Sequence, residues 1–535
     1  MRWAAAAVIA AGAAVRFRIF LANRSLSIDE AAVGRNLIAH SWRSVFGPLA
    51  WGQVAPPGFL AIEKAAVSLD PAEYALRALP LACGLVSLWL CWKLAARLQR
   101  PAPALCTLAL VAGAPSLAGY AAVAKPYSGD VAAALAVALA AVTVVDPWRR
   151  EPPTRTVVVA AALTALFSFT ASFGLAAAAA ACLAAAWRAP RARVRPLVAA
   201  AAIWAAAGGF AVYAGRRVVT PADSAYLHWF WASGFMPFPP HDLREAAWIW
   251  PQLKSLFGIT ARYRFTTFWI ACAAMGIVSL VRRRPLAAIA VAGPMLLAIA
   301  ASAAGGYPFA SGRLELFLLP PALLLAAEGA DALGAIARSR AAAATLVPLA
   351  ALLLLAAPSL TAGAPPDPRD DLRPFLEQAS ARWEAGDALY VYHGTAQAFL
   401  YYAPRFRFPP GDVLVGSCSR GSGRVYLAEL DRLRGRRRAW IALPRDENAE
   451  TDLFLAYLDA IGRRLPLEAS LPASRGLVPV GYLYDLTASA RGAAVHASTF
   501  PLPAALGHVR PYQWACYGVF TPASSVADAG PHGRS

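Results

Sequence analysis

Apolar stretches of about 20 residues recur along the first two thirds of this 535-residue chain, separated by short loops rich in arginine. A helix that crosses a bilayer needs about 20 apolar residues, because no water inside the hydrocarbon satisfies an open backbone. The pattern predicts helices near residues 3–23, 76–97, 103–123, 129–146, 156–170, 172–188, 197–214, 263–281, 286–304, 314–335 and 341–361. Composition agrees: 58% of residues are hydrophobic and only 15% charged, against about 25% charged in a soluble domain. The chain is too apolar for a disordered protein and too long for a disulfide-stapled miniprotein.

The formal charge of +19 is not read as nucleic-acid binding. Only four basic residues are lysine (Lys64, Lys93, Lys125 and Lys254), and many of the 46 arginines fall in alternate loops. These are Arg97 to Arg100, Trp148-Arg149-Arg150 with Arg155, Arg188 to Arg195, Arg282-Arg283-Arg284 and Arg338 to Arg340. The positive-inside rule puts all five on the cytoplasmic side. Eleven spans then leave the N-terminus inside and the C-terminus outside. Agreement requires the apolar block from Val157 to Trp187 to be split at Ser168–Ser172. The first stretch is read as a retained helix, since no convincing signal-peptide cleavage site precedes Arg16.

The expected fold is therefore mainly α: a polytopic membrane helical bundle of about eleven transmembrane helices over residues 1–361, with outer loops at 24–75 and 215–262. A small extracytoplasmic α/β domain is expected over 362–525, followed by a disordered tail at 526–535. In the tail, Ala388–Tyr392 and Ala439–Leu443 read as buried strands. Thr451 to Arg464 reads as an amphipathic helix, with Leu453, Phe454, Tyr457, Leu458 and Ile461 on one face. Five cysteines lie in apolar helices. Cys418 and Cys516 lie in the tail, where a disulfide is chemically allowed. No Cys or His spacing suits a metal, and the adjacent carboxylates of Asp29 and Glu30 make a poor cage, so no metal or other cofactor is expected.

The candidate chemistry clusters at the outer ends of the apolar runs. Asp29 and Glu30 follow the first run in Leu26-Ser27-Ile28-Asp29-Glu30, a pattern that also suits a helix N-cap. Pro56-Pro57-Gly58 opens an amphipathic segment containing Glu63-Lys64. Glu73-Tyr74-Ala75-Leu76-Arg77-Ala78-Leu79-Pro80 leads into the second run. Lys125-Pro126-Tyr127-Ser128-Gly129-Asp130 stands between the third and fourth runs, and Gly312-Arg313-Leu314-Glu315 before the tenth. Each has an ordinary alternative: helix-end anchoring for Lys125 and Arg313, a cap for Asp130, pairing with Glu73 for Arg77, and an interfacial position for Arg16 and Tyr127. His40, beside Trp42-Arg43, is either structural or part of an acceptor site. The aromatic run Tyr226-Leu227-His228-Trp229-Phe230-Trp231 suits sugar stacking or contact with the bilayer surface.

In that order, these motifs over residues 1–335 resemble the GT-C membrane glycosyltransferases of the protein O-mannosyltransferase and aminoarabinose transferase group (family 39-like). The chain departs from that group in having Val54-Ala55 where a His or Lys often precedes the Pro-Pro step. The resemblance implies transfer of a sugar from a polyprenyl-phosphate carrier to a lipid, glycan or protein acceptor outside the bacterial inner (cytoplasmic) membrane. It implies Asp29 as general base, with Glu30 positioning the base or the acceptor. Lys125 and Arg313, with Arg77 and Arg16 behind them, would hold the donor phosphate, and Tyr127, Glu63 and His40 would line the substrate. A transporter or flippase of a lipid-linked sugar and a non-catalytic envelope assembly protein are the other classes open. The first is disfavoured by the near absence of charge within the apolar runs and of any inverted repeat.

Overall fold

The computed structural model describes residues 1–146, 155–309, 312–336, 347–362, 371–419, 422–443, 450–467, 481–487 and 495–502. Arginines 149, 150, 338 and 340, Cys516 and the tail at 526–535 therefore lie outside the described residues, and so do the expectations placed on them. Cys418 is disulfide-bonded, and the apolar-helix cysteines Cys83, Cys91, Cys106, Cys182 and Cys272 are free.

The protein is mainly helical. Along the chain run α1 (Arg2–Leu21), α2 (Ile28–Ala39), α3 (Pro57–Leu69), α4 (Glu73–Leu98), α5 (Pro101–Gly113), α6 (Pro115–Gly119) and α7 (Tyr127–Val144). There follow α8 (Arg155–Leu163), α9 (Ala171–Ala186), α10 (Arg191–Val218), α11 (Pro221–Phe230), α12 (Leu243–Ala246) and α13 (Ile249–Ser255). Next come α14 (Thr266–Arg283), α15 (Pro285–Ala303), α16 (Leu319–Ile336) and α17 (Val347–Ala362). The last group is α18 (Leu372–Ala381), β1 (Ala388–Val391), α19 (Ala396–Tyr402), β2 (Val413–Val415), α20 (Gly423–Asp431), β3 (Ala439–Ala442), α21 (Glu450–Ile461), β4 (Arg463–Leu465) and β5 (Gly481–Asp485). Among the described residues, six helices are long and apolar enough to cross a membrane, or seven if α5 and the segment Pro115–Ala122, bent by 54°, form one span.

Two compact units are present: Met1–Asn23 with Val54–Pro365, and Arg24–Gln53 with Pro366–Ser535. The sequence reading put all of 24–75 with the helical module. Residues 24–53 instead group with the C-terminal part, and hydrogen bonds explain why. The Asp371 carboxylate accepts from the Ser25 backbone N–H (3.0 Å) and hydroxyl (2.5 Å), the Tyr402 hydroxyl accepts from the Leu26 N–H (2.8 Å), and Arg35 donates to Gln397 Oε1 (2.5 Å).

Within the helical unit, proline and glycine set the breaks and close approaches. Pro115 has no N–H to give the carbonyl of Val111, so α5 ends there. The buried Arg16 of α1 supplies the missing donors, reaching the carbonyls of Ala112 (3.0 Å) and Val111 (3.4 Å) as well as Gly12 in its own helix (3.0 Å). Helices α14 and α16 touch backbone to backbone: a Cβ at Gly276 would lie 1.9 Å from the Leu325 carbonyl oxygen, and one at Gly329 1.8 Å from that of Cys272. The apolar block at 157–187 is broken after Leu166, where Ser168 Oγ accepts from the Ala171 N–H (3.0 Å) at the start of α9.

The other unit is built on a five-stranded sheet of order β2-β1-β3-β5-β4. Strands β1, β2 and β3 are parallel, with Tyr390 opposite Leu414 and Ile441, while β5 runs antiparallel to β3 and β4. The two predicted strands are β1 and β3, and both are buried throughout. The predicted helix begins as expected but stops at Ile461. Gly462 follows, and Arg463-Arg464-Leu465 extend into β4. The face of α21 that bears Leu453, Phe454, Tyr457 and Leu458 packs with Tyr390, Tyr426 and Ile441 in one core.

Candidate functional site

In the helical unit a cavity of about 250 Å³ lies among α3, α4, α7 and α8. Leu79, Pro80, Cys83, Val86 and Leu90 of α4 form one wall, and the small residues Gly129, Ala132, Ala133 and Ala136 of α7 another. Ala160, Leu163, Thr164 and Phe167 close it from the α8 side, and Phe59 from α3. Pro80, the last residue of the motif before the second run, cannot bond the Leu76 carbonyl and so loosens α4 beside the cavity. Lys125 is the charged residue of the lining and is itself only 7% exposed. An apolar slot with one ammonium fits an anionic head on a hydrocarbon chain.

Lys125, Tyr127 and Arg313, predicted from two separate motifs, belong to a common polar neighbourhood. The Arg313 guanidinium lies 6.0 Å from the Tyr127 ring centre and 5.9 Å from that of Trp231, within cation–π range. Tyr127 in turn meets the Tyr120 ring edge-on at 5.2 Å. Tyr307 donates its hydroxyl to the Leu314 carbonyl (2.7 Å) and lies in electrostatic range of Asp130, Glu315 and Tyr127. Burial first, then those neighbours, pushes the Tyr307 phenol well above its ordinary value, so it stays a neutral donor.

Three further residues that the sequence reading gave no site role join this group. Asp130 does more than cap a helix: it accepts from Ser168 Oγ (2.6 Å) and from the Thr170 side chain, tying α7 to the break before α9. Glu315 is fully buried, and neither carboxyl oxygen has a hydrogen-bond partner. Its signal was an acid in the otherwise apolar run Leu314-Glu315-Leu316-Phe317-Leu318-Leu319. Trp231 was noticed only as part of an aromatic run, and the structure sets it against Arg313.

Glu63 stands on α3 one turn after the cavity residue Phe59. It is 0% exposed with both oxygens unpartnered, and desolvation raises its pKa from 4.5 to about 9. Gly58 allows α3 to come this close, since a Cβ there would lie 2.8 Å from both the Leu166 carbonyl oxygen and the Phe167 ring. Arg77 is buried near the start of α4, as is Glu73. Arg16, placed last among the expected phosphate-binding cations, is buried with its guanidinium bonded to the carbonyls that end α5, where it acts as a helix cap.

The remaining predicted residues belong to the other unit. Ser27 caps α2: its hydroxyl accepts from the Glu30 N–H (3.4 Å), and the Glu30 carboxylate accepts from the Ser27 N–H (3.0 Å). This capping box commits the buried Glu30 to structure and leaves the half-buried Asp29 in the first turn of α2, where the helix dipole favours a carboxylate. His40 ends the same helix, its Nδ1 3.0 Å from the Asn36 carbonyl oxygen. Among the described residues no group of three or more His, Cys, Asp or Glu is placed to hold a metal ion.

No protein-family model matches the chain, and no curated protein matches it in sequence. Among solved structures the chain is similar to ArnT from Cupriavidus metallidurans bound to undecaprenyl phosphate, with 12% identity, a TM-score of 0.49 and coverage of 91% of this chain and 98% of that one. The apo state of the same protein gives 13% identity and a TM-score of 0.47 over the same shares. The oligosaccharyltransferase of Archaeoglobus fulgidus in complex with Zn and sulfate gives 11% and 0.46, covering 90% of this chain and 73% of that one.

Proposed function

We propose that the chain is an integral membrane glycosyltransferase of the GT-C type, moving a sugar from a polyprenyl-phosphate carrier to an acceptor on the outer side of a bacterial cytoplasmic membrane. The observation that carries this reading is the apolar cavity lined by Lys125, in the unit that also holds Arg313 against Tyr127 and Trp231. The slot receives part of the isoprenoid chain, and Lys125 and Arg313 steady its phosphate, with Arg77 as a further cation. Tyr127 and Glu63 line the donor side, and His40 the acceptor side. Eleven helical stretches span the membrane, with the N-terminus inside and the C-terminal unit outside.

In the reaction, Asp29 takes the proton of the acceptor nucleophile, which attacks the anomeric carbon. The bond from that carbon to the phosphate oxygen breaks, and the electron pair leaves with the phosphate. The charge that develops there is met by fixed cations. Glu30 acts through its cap, holding the turn on which Asp29 stands.

The test is transfer from radiolabelled polyprenyl-phosphate sugars in membrane vesicles, with insertion of each variant checked. Asp29→Asn is expected to lower transfer at least about 100-fold without changing lipid binding. Lys125→Ala and Arg313→Ala are expected to weaken use of the lipid about tenfold each. Full transfer by Asp29→Asn would move the base elsewhere. Movement of lipid-linked sugar across the vesicle membrane without transfer would instead favour a flippase.

A further inference from the structure

The position of Glu63 raises a chemical question that the cavity answers. The side chain is fully buried and neither oxygen is bonded, although Phe59, one turn earlier on the same face of α3, lines the cavity. Glu63 is also within electrostatic range of Cys83, a lining residue of α4. The carboxyl thus stands behind the part of the wall that Phe59 and Cys83 form, and the same cavity is lined by Lys125, the residue that suits an anion.

A buried polar group left unbonded costs free energy, and native structures rarely keep one without a use. Burial raises the proton affinity of Glu63 so that it titrates at about 9, which makes it neutral at pH 7. A neutral carboxyl has something a carboxylate lacks: an O–H to donate. A carboxylate beside a phosphate would repel it, whereas a carboxylic acid would bind it. Resting on the reading of the cavity as the carrier site, we propose that Glu63 is a specificity-determining residue whose O–H is donated to the phosphate of the carrier lipid.

The donor favours the lipid whose head is the stronger acceptor, so it discriminates a polyprenyl phosphate from the corresponding polyprenol. The elements packed here carry other titratable or charged groups. They are Lys64 on α3 itself, Glu73, Arg77 and Cys83 on α4, and Lys125 and Asp130 around the cavity; the 164–166 turn contributes none. Because several such groups share the region, pH alone does not isolate Glu63, and a substitution series does.

The experiment measures equilibrium binding of a polyprenyl phosphate and of the matching polyprenol to the full chain in nanodiscs. It compares wild type, Glu63→Gln, Glu63→Leu and Lys125→Ala. Leucine fills the same wall without a polar group, so folding is not at risk. Glu63→Leu is expected to weaken phosphate-lipid binding about tenfold and leave polyprenol binding unchanged. Glu63→Gln, which keeps a donor, stays within about threefold of wild type at pH 7. Between pH 7 and 10 the wild type weakens relative to Glu63→Gln as its donor is lost. Phosphate-lipid binding by Glu63→Leu equal to wild type overturns the inference, and so does a loss in Glu63→Gln as large as in Glu63→Leu. If wild type does not prefer the phosphate lipid and Lys125→Ala changes nothing, the carrier reading of the cavity fails instead.

Discussion

The two units differ in how completely their buried carboxyls are bonded. In the α/β unit they are bonded. Glu450 accepts from the Tyr392 and Tyr426 hydroxyls, Asp387 from the Trp440 indole (2.9 Å), and the half-buried Glu429 from Tyr390 (3.0 Å) and the Ser417 N–H (2.9 Å). In the helical unit Glu328 is bonded too, by Ser279 (2.7 Å) and Arg283, but Glu63 and Glu315 are fully buried with no hydrogen bond to either oxygen. The difference teaches where to look for ligands. A network that is complete serves stability, and a buried acid without partners serves something that arrives later.

The largest effect expected from breaking this contrast is in the α/β unit. Glu450→Ala leaves two buried tyrosine hydroxyls short of an acceptor and opens a void. It should destabilise that unit by about 4 kcal/mol. Hydrogen exchange on peptides from β1 and β3 reads this locally, which matters because two units need not unfold together. A loss under about 1 kcal/mol would mean that the tyrosine network contributes little.

Glu63→Leu should have the opposite sign. Glu63 titrates near 4.5 in the unfolded chain and at about 9 in the fold. Below about pH 4.5 both states hold the proton. Between there and 9 the unfolded chain releases it while the folded one keeps it, so stability falls as pH rises through that window and levels off above it. The leucine variant lacks this slope and at pH 7 should gain on the order of 3 kcal/mol in exchange protection of α3 and α4. A wild type and variant with parallel pH profiles would show that Glu63 has a partner in solution. Glu315→Leu tests the same idea away from the cavity lining and should also stabilise, by roughly 1–3 kcal/mol.

Much of the helical frame was legible because a bilayer permits few solutions: every predicted apolar run carries helix among its described residues, although only six or seven of those helices are long and apolar enough to span. The strands β1 and β3 were legible as short apolar runs. Strands β2, β4 and β5 were not, since segments of three to five residues show no period to read. At the site, Lys125, Tyr127 and Arg313 were found from motif order, and their shared neighbourhood is a tertiary fact. Arg16 was ambiguous because its sequence context, an arginine near the end of an apolar run, looks the same for a phosphate ligand and for a cap. The clue lay a hundred residues away in Pro115, which leaves a carbonyl wanting a donor. Asp130 and Glu315 were underweighted for a similar reason: sequence shows an acid, and only packing shows whether anything bonds it.

The smallest test concerns the boundary of the comparison. Glu30 is buried like Glu63, yet its carboxylate accepts from the Ser27 N–H and belongs with the satisfied class. Ser27→Ala removes only the reciprocal half of that cap, the hydroxyl that accepts from the Glu30 N–H. A lost N-cap costs about 1 kcal/mol. Exchange protection in α2 should fall by that amount, with no change in its pH dependence, because the Glu30 bond survives. Transfer should fall only as far as the first turn frays, and stabilising conditions such as lower temperature should restore it. If transfer were lost while α2 kept its protection, Ser27 would be touching substrate, and the turn bearing Asp29 would be doing chemistry with its hydroxyl as well as its carboxylate.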